Sequence, residues 1–107
     1  MSFLLVIPAR MREHLEGCDV LQKGEPGTDP LAPALLAAWA AGALYRGNLR
    51  LTLEGQAGLD VVDFIQDYAE AVTNAPAGDY DRGERRAGLQ TVERCKIGRN
   101  ELKKAMT

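Results

Sequence analysis

The sequence predicts a small, mainly helical domain of four helices with a minor two-stranded β element. Three observations carry that expectation. Residues 60–73 place Val61, Val62, Phe64, Ile65, Tyr68, Ala69 and Val72 at helical spacing. Residues 31–45 form an apolar, alanine-rich run behind a helix-start signal. Only residues 3–7 and 48–54 read as strands, the first as a short apolar run and the second by strict alternation of three leucines.

In chain order, the Phe3–Ile7 run leads to Pro8, which suits the first turn of a helix carrying Arg10 to Glu16 and weakened by Gly17. Residues 23–28 are a loop by composition. Asp29 can accept hydrogen bonds as an N-cap, and Pro30 and Pro33 fall in the first turn, where no intrahelical donor is lost. The helix that follows is expected over 31–45, with Arg46 beside its dipole and Gly47 as C-cap. The strand at 48–54 could alternatively open a longer helix. Gly55-Gln56-Ala57-Gly58 reads as a turn before the 60–73 helix, and residues 74–78 as a second loop. A last helical region runs from Asp79 to about Ile97, with a break at Gly98 and a short helix from Glu101 to Met106.

Length and composition set the broad class. At 107 residues, 46% hydrophobic and 26% charged, the chain reads as one globular domain over 1–107, and collagen-like or wholly disordered classes are excluded. Cys18 and Cys95 are far apart and are expected to be free thiols of a cytoplasmic protein. The apolar start lacks a basic n-region. The 31–45 run is about 22 Å long as helix, against a bilayer core of about 30 Å. No membrane partner is expected.

Few residues suit catalysis. His14 and Cys18 lie four apart, but two ligands are too few for a zinc site, and a Cys–His pair lacks an orienting third group. Gly24-x2-Gly27 lacks the Lys-Ser/Thr of a phosphate loop. The reading is a non-enzyme with no metal, cofactor or small-molecule ligand. A weak echo, Trp39-x2-Gly42-x4-Gly47 against Tyr80-x2-Gly83-x4-Gly88, has unlike flanks and does not establish duplication.

Surfaces say more than motifs. No polar side chain interrupts 31–45, and a helix apolar on every face must be covered on every face. A chain of this size buries about two-thirds of its surface, so a core position competes with contact to a partner or second copy. Leu31, Leu35, Ala38, Trp39, Gly42 and Tyr45 are the expected partner or homodimer contacts. Asp60, Asp63, Asp67 and Glu70 fall on one helical stripe, suited to solvent, to a basic partner or to the chain's own basic helix. Charge is segregated: residues 1–81 carry five basic and twelve acidic groups, and the basic segment 82–107 carries eight and three.

Within that basic segment, Cys95 to Met106 resembles the turn and second helix of Fis-type helix-turn-helix DNA-binding segments, notably at Ile97-Gly98-Arg99-Asn100 and Leu102. The resemblance implies a helix capped by Asn100, with Arg99, Lys103 and Lys104 contacting DNA and with Leu102 and Met106 packing onto Leu89 and Val92. Two functions follow as expectations. The first is a small regulator that inhibits or adapts a larger regulatory protein or enzyme by occluding its surface. The alternative is a helix-turn-helix transcriptional regulator.

Overall fold

The computed structural model describes residues 2–16, 44–45, 47–76 and 78–106. Strand β1 (Phe3–Ile7) leads into helix α1 (Ala9–Glu16). The chain continues with β2 (Leu44–Tyr45), β3 (Asn48–Leu53), α2 (Gly55–Thr73) and α3 (Arg82–Met106). The fold is mostly helical with a small antiparallel sheet. Its main ladder pairs β1 with β3, from Phe3 opposite Leu53 to Ile7 opposite Leu49.

Alternation in β3 does what period two requires. Leu49, Leu51 and Leu53 are buried while Arg50 and Thr52 face out. On β1, Leu5 and Ile7 turn to the same interior. The antiparallel helical hairpin of α2 and α3 closes that interior, supplying Val62, Ile65, Val72, Val92 and Leu102, and α1 adds Met11. Asn48 links sheet to helix: its side-chain Oδ1 accepts a 3.1 Å bond from the Ala9 N–H, capping the first turn of α1 from β3.

The strands at 3–7 and 48–53 and the helix after Pro8 lie where the sequence places them. Four expectations are corrected. Leu44 and Tyr45 are not the end of a helix; they pair with Leu49 and Asn48 as a third, two-residue strand. Gly47 is therefore no helix cap. It sits at φ +81° in the two-residue hairpin turn between β2 and β3, a backbone region that glycine enters without strain. Residues 31–43, the rest of that expected helix, lie outside the described residues, as does Cys18.

Residues 55–58 are not a turn but the first turn of α2. Gly58 is buried, and its amide donates to the Glu54 carbonyl at 3.0 Å. A Cβ there would stand 3.1 Å from the Leu53 backbone, so the strand-to-helix corner is tight enough to favour glycine.

The last region is one helix of 25 residues rather than a helix, a break and a shorter helix. It begins at Arg82, not Asp79, because Asp81 and Glu84 form a capping box. The Glu84 amide donates to Asp81 Oδ1 at 2.8 Å, and Asp81's own amide points back at Glu84 Oε1 at 3.4 Å. Arg85 fixes the preceding loop by donating to the carbonyls of Ala75 and Pro76, both at 2.8 Å. The described residues hold three helices, and the remaining expected helix falls mostly on residues 31–43, outside them. The glycines of the internal echo also differ in role, Gly47 turning a hairpin and Gly88 packing inside α3.

Candidate functional site

Helix α2 presents the acidic stripe. Asp60, Asp63 and Asp67 are exposed and Glu70 is half-buried, on the side opposite Val61, Val62, Ile65, Ala69 and Val72. Two members bond along their own helix: Gln56 Nε2 donates to Asp60 at 3.0 Å, and Gln66 Nε2 donates to Glu70 at 3.0 Å. Gln66 is itself buried, and its Oε1 accepts no hydrogen bond.

Asp63 reaches across to α3. Arg99 Nε donates to Asp63 Oδ1 at 2.9 Å, and Arg99 Nη2 bonds the same oxygen. Acidic stripe and basic helix therefore meet inside one chain at this point. In a partly exposed setting such a pair contributes at most about 1 kcal/mol, so it orients the hairpin more than it stabilises it.

The geometry expected of a helix-turn-helix is not present at 95–100. Gly98 is buried within the continuous α3, where a Cβ would lie 2.6 Å from Phe3 Cε1. The sequence feature that looks like a turn is a packing contact between α3 and β1. Asn100 is an exposed mid-helix residue, not a cap, and Lys103 and Lys104 lie on the last turn, where cations favour the helix dipole. Leu102 is buried, with Cδ1 beside Gly58, whereas Met106 and Leu89 are about half exposed and do not close a second helix onto the first.

A second cluster, not anticipated from sequence, gathers at the start of α3. His14 Nε2 stands 2.5 Å from Glu84 Oε2, and the His14 ring meets Tyr80 edge-on with centroids 5.2 Å apart. Tyr68 O–H donates to the His14 carbonyl at 3.4 Å, and Arg10 lies 3.6 Å from Asp81. These contacts tie α1 to both long helices and their approach across separations of up to seventy-one residues, which no local pattern encodes. The cluster joins α1 to α2 and to the start of α3.

Cys95 is a free thiol, fully buried between the helices, and burial pushes it up to about 12, the nearby Asp63 and Glu70 adding to the shift against Arg99. A thiol so held carries almost no thiolate at neutral pH. Among the described residues no group of three or more His, Cys, Asp or Glu side chains is arranged to hold a metal ion, and no helix is long and apolar enough to cross a membrane. Of the expected contact residues, Leu31, Leu35, Ala38, Trp39 and Gly42 lie outside the described residues, and Tyr45 enters only as backbone of β2. Comparison with protein families, with curated proteins and with solved structures finds no match for this chain.

Proposed function

We propose that the chain is a small non-enzymatic regulator, an inhibitor, anti-activator or adaptor that occludes a surface of a larger regulatory protein or enzyme. One observation carries the reading: from Leu31 to Tyr45 fifteen residues pass without a polar side chain other than that of Tyr45 itself. Leu35, Trp39 and Tyr45 are the large side chains that anchor the contact, because affinity concentrates in a few desolvated aromatic and aliphatic groups. Ala38 and Gly42, four apart, let a partner backbone approach closely. The exposed carboxylates of α2 orient the encounter, since rim charges act on association more than on the final affinity.

The experiment is a binding series on the partner recovered from the native cells. Trp39→Ala and Leu35→Ala are each expected to weaken the complex by about 2 kcal/mol or more, roughly thirtyfold. Asp67→Asn is expected to lower the association rate and leave dissociation nearly unchanged. Affinity that is indifferent to Leu35 and Trp39 but falls steeply with the logarithm of salt concentration would point to a polyanion and contradict the reading.

A further inference from the structure

Helix α3 carries eight of the thirteen basic side chains and three acidic ones. Several are committed within the chain. Arg85 donates to the carbonyls of Ala75 and Pro76, Arg99 donates to Asp63, and Lys96 lies 3.6 Å from Glu93, the exposed acid of the outer face. Arg82, Arg86 and Arg94 are exposed and meet no carboxylate among the described residues. With Gln90, also exposed, they stand at i, i+4, i+8 and i+12. They form a ridge of donors about 6 Å apart along the helix axis and about 18 Å long.

We propose that this ridge docks on the phosphate backbone of a nucleic-acid duplex without reading its sequence. Positive charge repeated along a line matches an anion repeated along a line, which a nucleic-acid strand supplies and a lone carboxylate does not. Guanidinium forks hold phosphate oxygens by two bonds at once, and all three cations of the ridge are arginines. Helix α3 contains no aromatic residue, so unpaired bases have nothing there to stack on, and a duplex fits better than a single strand. A lipid surface fits less well. The continuous apolar face of α3 is buried in the core through Val92, Cys95 and Leu102, and the exposed Leu89 and Ile97, about two turns apart, form no second one. The contact also differs from that of a helix-turn-helix, because Arg99 is held by Asp63. The inference uses none of residues 31–45 and stands apart from the function proposed above.

Fluorescence anisotropy of a labelled duplex of arbitrary sequence, titrated with the full chain at about 50 mM salt, tests it. Binding is expected with a dissociation constant of about 1–100 µM. Log affinity should fall with log salt at a slope of about −2.7, which is about 0.9 for each of three phosphates neutralised. Arg86→Gln with Arg94→Gln is expected to weaken binding at least about tenfold and to flatten the slope by about 1.8, at an unchanged circular dichroism spectrum. Arg99→Gln, outside the ridge, should leave both nearly unchanged. A chain that binds no duplex up to about 1 mM overturns the proposal. So does a double variant that binds like wild type, or a loss that follows Arg99→Gln instead. Tighter binding to single strands or to vesicles of anionic lipid than to the duplex overturns it too.

Discussion

Asp81 holds the start of α3 by a charge. Its carboxyl lies below the ordinary value of 3.8, first because the Glu84 backbone N–H donates to it and also because the Arg10 guanidinium stands nearby. A carboxyl lowered on folding contributes stability that is complete above its unfolded value and is lost as pH falls through the folded one. The urea midpoint of the wild-type chain should therefore drop below about pH 4 more than that of Asp81→Asn, which keeps a capping oxygen but does not titrate there. Parallel pH profiles for the two chains would remove the cap from the account. The Asp81-x-x-Glu84 spacing was readable as a capping box and fixes the helix start better than composition does. The His14–Glu84 contact was not readable, because seventy residues separate its partners and neither belongs to a motif.

At the scale of elements, the glycines explain both the hairpin geometry and the places where sequence misleads. At Gly88 a Cβ would lie 2.7 Å from Thr73 Oγ1 and 3.1 Å from the Ala69 carbonyl oxygen, itself the acceptor of the Thr73 hydroxyl. Gly→Ala within a helix gains about 1 kcal/mol of propensity, and overpacking against backbone costs about 1–3 kcal/mol. Gly88→Ala is expected to be destabilising by about 1–2 kcal/mol in urea denaturation. Gly98→Ala meets a half-buried phenyl ring that can swing outward, so it should fall within about 1 kcal/mol of wild type. The reverse order would mean that the α2–α3 contact is looser than described.

The same residues account for the misplaced boundaries. Gly55, Gly58 and Gly98 carry the composition of turns, yet Gly58 and Gly98 are selected by close packing inside helices, a tertiary cause that local propensity cannot register. Leu44 and Tyr45 continue an apolar run and so read as its last turn, whereas Gly47 at positive φ makes them one arm of a hairpin. The strands at 3–7 and 48–53 and the body of α2 were legible because burial follows their periods of 2 and 3.6 directly.

Across the whole molecule, the acidic and basic halves of the sequence do not remain apart. Asp63 with Arg99 joins them within one chain, which leaves Asp60 and Asp67 as the exposed remainder of the stripe. This contact orients elements whose stability comes from the buried leucines, isoleucines and valines of the sheet and hairpin. The contact residues proposed for a partner were legible only as a surplus of apolar side chains, since a run without polar punctuation carries no sign of which face is covered.

Trp39 is the single tryptophan of the chain and lies in the middle of that run. Its fluorescence in dilute solution therefore tests the claim that residues 31–45 offer an apolar surface to a partner. The account predicts the red-shifted emission of an indole in contact with water, readily quenched by acrylamide in the isolated chain and shielded once the partner is added. Blue-shifted emission from the isolated monomer, already resistant to acrylamide, would show Trp39 sealed within its own fold and contradict the account.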